Sequence, residues 1–337
     1  NHAKILTPTL ERLLGKQRAW LHLILFILTL YTTTLAGVAW SGHDPFELTN
    51  FSFGLEYALL LLLFLSAHEF GHFIAARIHG VDVTLPYYIP FPGTMMGIMP
   101  NFGTFGAVIR TRQRIPSRSI IFDIGVAGPI AGFIVCIIIL AIGFATLPGI
   151  EYLQAIHPGY PLMQAPPGGE LTFGKTILYS LMEKVFANHS GYIPPMSEMY
   201  HYPMLCVGWF GLFVTALNLL PVGQLDGGHL MYGLFPKSIH RIIGIVTVSI
   251  LAALSIPELV ISLAGDSLPS AFKWLEAIAV PGGSSWIFWV IMIVFVIKFR
   301  HPAAVDESPM DLKRIVIGVL TILIFVLSFT PSPIVLE

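Results

Sequence analysis

Long apolar runs separated by short polar segments dominate the chain. A helix needs roughly 20 apolar residues to cross a bilayer, and seven windows reach or approach that length. They are residues 20–40, 55–78, 120–147, 203–220, 242–261, 277–297 and 315–329. The sixth window contains Pro281 and a glycine pair, which favours a late helix start, and the seventh is short. The pattern predicts an all-α polytopic membrane protein with about seven transmembrane helices.

The composition agrees with this prediction. Of the 337 residues 55% are hydrophobic and 11% are charged, and the mean hydropathy is +0.77. The formal net charge of −1 gives no electrostatic reason to expect nucleic acid as a partner. The high hydrophobic content indicates the lipid bilayer as the expected partner. Cys136 and Cys206 are the only cysteines, and both lie in apolar stretches. We expect two small buried side chains rather than disulfides or a cysteine-built metal site.

The basic residues predict an orientation. Short loops rich in Lys and Arg stay on the cytoplasmic side. The basic residues cluster before the first span, between the second and third, after the fourth, and between the sixth and seventh. They are Lys4, Arg12, Lys16, Arg18, Arg110, Arg112, Arg114, Arg118, Lys237, Arg241, Lys298, Arg300, Lys313 and Arg314. With seven spans all four clusters fall on one side, which predicts a cytoplasmic N-terminus and an outer C-terminus.

Residues 148–202 form the only substantial polar region, an outer insert of about fifty residues. It is too short for most autonomous domains. His157, His189 and His201 lie within it, but their spacing fits no single helix face. We therefore expect scattered surface histidines here rather than a second metal site.

The second apolar window contains an unusual polar group. His68 and His72 are four residues apart, so on a helix they project from one face and can hold one metal ion. Glu69 lies beside them. Such side chains are costly in a membrane span unless they are paired or coordinated. This H-E-x-x-H arrangement is typical of zinc sites in which two imidazoles bind Zn²⁺ and the glutamate is the general base.

A catalytic zinc usually takes three protein ligands and leaves one position for water. Asp226, just after the fourth window, is the obvious third ligand, and His229 competes for the role. Pro221 and the neighbouring glycines break the helix there and allow irregular backbone that lines a cavity at membrane depth. We prefer Asp226 and expect His229 to support the site from outside the ligand set.

These motifs together resemble the site-2 protease family of intramembrane zinc metalloproteases (peptidase M50-like). The resemblance covers about residues 55–229 and rests on three elements in order. They are HEFGH at 68–72, GPIAG at 128–132, and N-x-x-P-x-x-x-L-D-G from Asn218 to Gly227. It implies a three-helix catalytic core with His68, His72 and Asp226 as zinc ligands and Glu69 as catalytic base. It further implies an active site open to the cytoplasm.

The resemblance also implies the partners and the setting of the chain. The substrates would be transmembrane-helix proteins such as membrane-anchored regulators, and the location would be a prokaryotic plasma membrane rather than an organellar one, although plant plastids contain similar proteins. Many bacterial members carry an external PDZ domain, for which the insert 148–202 is too short. The chain then divides into an N-terminal segment with the first span at residues 1–54, a catalytic core at 55–230 that includes the insert, and accessory spans at 231–337.

A glycine-rich stretch, residues 101–110, predicts a small membrane-associated β element between the second and third spans. A peptide bond in a helix must be unwound before it is cut, and an open strand edge can hold an extended substrate. Gly106, Ala107 and Val108 are the candidate binding residues; an ordinary hairpin is the alternative. Residues 86–92 contain too many prolines for a central strand and are expected to form a loop that re-enters the bilayer or lies at its interface. Asn218 either binds the substrate backbone or caps the broken helix.

Two other classes compete with the protease hypothesis. A divalent-metal transporter also places His, Glu and Asp inside the membrane, but its polar residues would run along several spans. A prenyl-peptide type of membrane zinc protease would normally use a downstream glutamate as its third ligand, where this chain offers Asp226.

The third span is predicted to lie against the metal-binding helix. Gly128 and Gly132 would permit that close approach, since small residues let two helix backbones come near each other in a membrane.

Overall fold

The computed structural model describes residues 18–98, 100–160, 171–188, 191–297, 299, 304–306 and 308–336. Lys4, Arg12, Lys16, Lys298, Arg300 and His189 lie outside these residues. Contacts divide the chain into two compact units, Asn1–Cys136 with Ala304–Ser308, and Ile137–Ala303 with Pro309–Glu337.

The first unit contains long helices and one β-hairpin. Its elements are α1 (Ala19–Trp40), α2 (Phe51–Ile78), β1 (Tyr87–Pro90), β2 (Thr104–Val108) and the beginning of α3 (Arg118–Ala145). A 3₁₀ turn, Leu48–Asn50, leads directly into α2. Helix α3 continues past Cys136 into the second unit.

The second unit is also mainly helical in its described residues. Its elements are α4 (Glu151–Ile156), β3 (Leu171–Phe173), α5 (Ile177–Phe186), α6 (Pro203–Asn218), α7 (Asp226–Leu234), α8 (Lys237–Ala264), α9 (Trp286–Met292), α10 (Leu312–Ser328) and β4 (Ile334–Leu336). The 3₁₀ segment Met199–His201 precedes α6, and the π-helical segment Ile293–Ile297 continues α9.

Among the residues that the structure describes, four helices are long and apolar enough to cross a membrane. They are Ala19–Trp40, Leu48–Ile78, Arg118–Ala145 and Lys237–Ala264, and Pro203–Asn218 and Gly283–Ile297 are shorter apolar helices. The prediction of a mainly helical membrane protein is confirmed, whereas the count of seven spans stays a prediction. In the sixth window regular α-helix begins only at Trp286, after Gly282 takes a left-handed φ of 74°.

Helix α1 buries its polar side and exposes its apolar side. Thr29, Thr33 and Thr34 are fully buried, while Leu23 and Ile27 are more than half exposed. Each of the three threonine hydroxyls donates to a carbonyl one turn earlier in the helix, at 2.7–2.8 Å. A helix surrounded by lipid gains nothing by hiding aliphatic side chains, but it must satisfy every polar group internally. This distribution is the one expected of a membrane span.

The hairpin of the first unit is antiparallel, with Tyr87 opposite Val108 and Tyr88 opposite Ala107. The register shifts before Pro90 meets Thr104, and Gly106 at this β-bulge has a φ of 95°. Only glycine adopts that conformation without strain. The expectation of a loop at residues 86–92 is wrong for Tyr87–Pro90. Pro90 is tolerated because it ends an outer strand, where a missing N–H costs no ladder bond.

The second unit is built around α6. Trp209, Phe210 and Leu212 are buried, and the Trp209 indole N–H donates to the Gly174 carbonyl at 2.8 Å. Strand β3 pairs antiparallel with β4 and so fixes the C-terminal strand to the insert. Cys206 is fully buried in α6, and Cys136 is buried in α3, as the sequence predicts.

Candidate metal centre

The two histidines of the H-E-x-x-H motif converge on one point. They lie on consecutive turns of α2, and each side chain is almost completely buried. The Nε2 atoms of His68 and His72 are 3.1 Å apart. Two nitrogens that bind a tetrahedral zinc at 2.0–2.1 Å would lie about 3.3 Å apart. Their separation and chemistry therefore fit a shared zinc ion.

A backbone contact fixes which nitrogen of His72 is available. The Nδ1 atom lies 2.7 Å from the carbonyl oxygen of Ile124 in α3. Because a carbonyl can only accept, Nδ1 carries the proton, and in the neutral ring Nε2 keeps its lone pair. Metal-binding histidines are commonly oriented by such a contact to the second nitrogen. Helix α3 thus prepares His72 for coordination.

Close packing of α3 on α2 depends on the glycines predicted for this purpose. A Cβ added at Gly128 would overlap the Nε2 atom of His72, and one added at Gly71 would lie 2.5 Å from the Ala127 carbonyl oxygen. One added at Gly132 would lie 3.2 Å from the Cβ of His68. Within the first unit the predicted close approach of the two helices is confirmed.

Glu69, the predicted general base, is buried beside the histidines with 7% of its surface exposed. Sequence reasoning missed a second polar group near it. The Tyr88 hydroxyl lies 2.6 Å from the Ser66 hydroxyl, one turn before Glu69. Burial raises the pKa of Tyr88, the bond with Ser66 opposes this, and the charge of Glu69 raises it further. Tyr88 therefore belongs to the electrostatic surroundings of Glu69.

The predicted substrate-binding residues Gly106, Ala107 and Val108 lie on β2. Ala107 is opposite Tyr88 in the hairpin, and the Tyr88 hydroxyl contacts Ser66 of α2. The hairpin is thus attached to α2 two residues before His68. In the described part of the chain this sheet has two strands, which leaves the other edge of β2 without a strand partner. Val108 is half exposed and Ala107 is buried. A role in substrate binding stays a prediction.

Asp226 and Asn218 lie in the second unit. Asp226 is the first residue of α7 and is partly buried, and Asn218 is the last residue of α6. A Cβ on Gly227 would overlap the Leu219 carbonyl oxygen, so glycine is required for the tight turn between the two helices. The first turn of a helix stabilises a carboxylate, which suits a metal ligand. Coordination by Asp226 stays a prediction, as does the supporting role of His229.

The expectation of scattered surface histidines is wrong for His157 and His201. With Glu198 they form a compact group of potential metal ligands, and His201 is only 3% exposed. The spacing along the chain offers little sign of this, because His157 is separated from the other two residues by about forty positions, and the described elements between them, β3 and α5, contain none of the three.

Comparison with known proteins gives a consistent result. The model of peptidase family M50 matches residues 56–256. "Probable zinc metalloprotease EGY1, chloroplastic" of Arabidopsis thaliana is 32% identical over 196 residues, which cover 57% of this chain and 31% of that protein. "Probable zinc metalloprotease EGY2, chloroplastic" is 25% identical in Oryza sativa subsp. indica, over 67% of this chain and 38% of the relative. The Arabidopsis thaliana EGY2 protein is 23% identical over 87% of this chain and 44% of the relative.

The matched segments thus span less than half the length of these relatives. No solved structure matches the chain significantly. The family match covers more than half of the sequence and includes the H-E-x-x-H motif, the glycines of α3 and the L-D-G turn. It confirms the resemblance to the site-2 protease family. This chain belongs to peptidase family M50.

Proposed function

We propose that the chain is a zinc-dependent intramembrane endopeptidase that cleaves peptide bonds in or near transmembrane segments of membrane proteins. One observation carries the proposal. On a helix long and apolar enough to cross a bilayer, two buried imidazole nitrogens lie 3.1 Å apart with a buried glutamate beside them. Membership of a peptidase family and the zinc metalloprotease names of the relatives support it.

His68, His72 and Asp226 would be the zinc ligands. Three protein ligands leave one coordination position for water, the arrangement used by catalytic zinc sites. The Ile124 carbonyl holds the His72 ring in the tautomer that coordinates through Nε2. Asp226, in the first turn of α7, brings a negative charge that balances part of the charge of a divalent ion.

The bound zinc would supply Lewis acidity, polarising the scissile carbonyl and lowering the pKa of water toward about 7. Glu69 takes the proton from the attacking water and delivers it to the leaving amine. Because Glu69 is buried, its carboxylate has little access to bulk solvent. Proton transfer from the attacking water to this carboxylate therefore does not compete with proton exchange between the carboxylate and bulk water. The contact between the Tyr88 and Ser66 hydroxyls attaches the hairpin to the helix that carries Glu69.

The substrate would be a transmembrane helix, such as that of a membrane-anchored regulator, presented in extended form. We propose that the outer edge of β2 at Gly106, Ala107 and Val108 binds it by strand addition, with backbone hydrogen bonds that replace those of the helix. The hairpin is suited to this because Tyr88, opposite Ala107, is bonded to the helix that carries the metal motif. Asn218 would bind the same extended backbone from the end of α6.

The orientation proposed from the basic loops puts the N-terminus and the active site toward the cytoplasmic side. Arg110, Arg112 and Arg114 lie between α2 and α3, and all three are exposed, as such a loop requires. The named relatives are chloroplastic proteins of plants and lend no support to a prokaryotic plasma membrane. The compartment of this chain stays a prediction.

Replacement of Glu69 by Gln tests the proposal. The variant should keep the zinc bound by wild type and lose cleavage of a co-reconstituted single-span membrane protein by about 10²-fold or more, because the general base is removed. Glu56→Gln is the matched control, since this carboxylate lies on the same helix about three turns away from the motif. Full cleavage by the Glu69 variant would refute the protease assignment. Metal flux into vesicles that is unaffected by this substitution would instead favour the transporter alternative.

A further inference from the structure

We propose that His157, Glu198 and His201 form a second metal site, which holds a divalent transition-metal ion of the zinc class in the insert between α3 and α6. His157 directly follows α4, and the other two residues flank or end the 3₁₀ segment Met199–His201. The site lies entirely within the second unit and is independent of the H-E-x-x-H motif.

The three donor atoms form a nearly equilateral triangle. The Nε2 atoms of His157 and His201 are 3.0 Å apart, and the Oε2 atom of Glu198 lies 3.4 Å from each of them. Ligands at 2.0–2.1 Å from a tetrahedral zinc lie about 3.3 Å from one another. A hydrogen-bonded His–Glu pair requires only one short separation, whereas a shared ion requires all three. The geometry therefore fits coordination.

The chemistry of the donors narrows the choice of ion. Two imidazole nitrogens and one carboxylate oxygen suit zinc and other first-row divalent metals, while calcium and magnesium prefer oxygen ligands alone. When two imidazoles meet through their Nε2 atoms, only one of these nitrogens can carry a proton, which it donates to the other. If both nitrogens were protonated, the two N–H groups would repel each other. A cation at the centre of the triangle removes this conflict and balances the buried carboxylate.

The surroundings hold the ligands in place. The side chains of His201 and Glu198 are 4% and 14% exposed, whereas that of His157 is 34% exposed. The Tyr152 hydroxyl donates to the backbone carbonyl of His201 at 2.8 Å, and the Tyr200 ring packs against His201. The open side at His157 leaves room for water to complete the coordination, while the closed side fixes two ligands before the ion arrives.

The site would join the two ends of the insert. His157 and His201 are 44 residues apart, and α6 begins at Pro203, two residues after the last ligand. A metal that joins such distant residues removes conformational entropy from the open chain, so binding energy becomes local folding energy. We infer a structural clamp that ties the insert to the start of α6.

The test counts zinc in the purified chain in detergent micelles, equilibrated with zinc alone and measured by inductively coupled plasma mass spectrometry. Glu198→Gln and His157→Gln should each lose about one zinc per chain relative to wild type. Glu183→Gln is the matched control, because this carboxylate of the same insert is paired with Lys175, and it should lose none. The side chain of His157 is a third exposed, so its substitution tests the site with little risk to folding.

A second measurement separates this site from the proposed active site. In the His68→Gln/His72→Gln variant, Co²⁺ alone should still bind at about one per chain, with visible absorption bands that disappear when His157→Gln is added. Unchanged zinc content in both insert variants, or no Co²⁺ binding in the double variant, would overturn the proposal. Neither result would bear on cleavage by the H-E-x-x-H motif, because the two ligand sets share no residue.

Discussion

A methyl group at position 128 offers a sharp test of how α3 shapes the metal centre. In Gly128→Ala the new Cβ would overlap the Nε2 atom of His72, far inside the 3.0 Å that real Cβ atoms keep from their neighbours. The ring or the helix must therefore move by about 1 Å, and a displacement of that size costs about 10²-fold in a positioned site. We expect weaker zinc binding and at least about a 100-fold loss of cleavage.

Gly132→Ala is the matched control on the same helix. Its Cβ would lie 3.2 Å from the Cβ of His68, so the neighbours need to give by only a few tenths of an ångström. Each substitution replaces a helical glycine by alanine, which raises helix propensity by about 1 kcal/mol, but at position 128 the following Pro129 opposes this gain. The control should keep its zinc and most of its cleavage.

The assay measures zinc content, the thermal midpoint and release of a tagged single-span substrate in the same vesicles. Overpacking is expected to cost about 1–3 kcal/mol of stability in Gly128→Ala, and the thermal midpoint reports whether the fold survives. If a folded Gly128→Ala protein retains zinc and cleaves within about threefold of Gly132→Ala, the reasoning about α3 is wrong.

Three further predictions concern the hairpin and the L-D-G turn. Ala107→Pro removes a strand N–H and should abolish cleavage with zinc still bound, whereas Ala107→Ser should cleave normally; equal turnover of the two would exclude strand addition. Tyr88→Phe removes the hydrogen bond to Ser66, which contributes about 1 kcal/mol. The variant should therefore have a kcat/KM about fivefold lower, with its zinc content unchanged. Gly227→Ala, which overlaps the Leu219 carbonyl, should lower zinc affinity by displacing Asp226, while Gly244→Ala meets only ordinary contacts and should not.

Local sequence patterns predicted much of the candidate site. The spacing of His68 and His72 determines their common face on any helix, and the apolar run around them predicts the span in which they lie. The small residues Gly128 and Gly132 were likewise readable, since close helix approach in a membrane needs them. These predictions depend on neighbours within a few turns, which the sequence specifies directly.

Contacts between distant segments were not predictable in the same way. Tyr88 reaches Ser66 only because the hairpin folds back onto α2, and the prolines around it obscured the strand. The triangle of His157, Glu198 and His201 arises from the path of an irregular insert, where no periodicity links the three positions. Side chains that meet through loop geometry leave no regular spacing in the sequence.

The hydrogen bond between His72 and the Ile124 carbonyl means that α2 and α3 together orient the His72 ring for metal binding. The Ile124 carbonyl that accepts from Nδ1 belongs to α3, so α2 by itself lacks this contact. A lone second span therefore offers zinc a poorly ordered pair of imidazoles. On the proposed function, we therefore expect cleavage only after α2 and α3 have packed together.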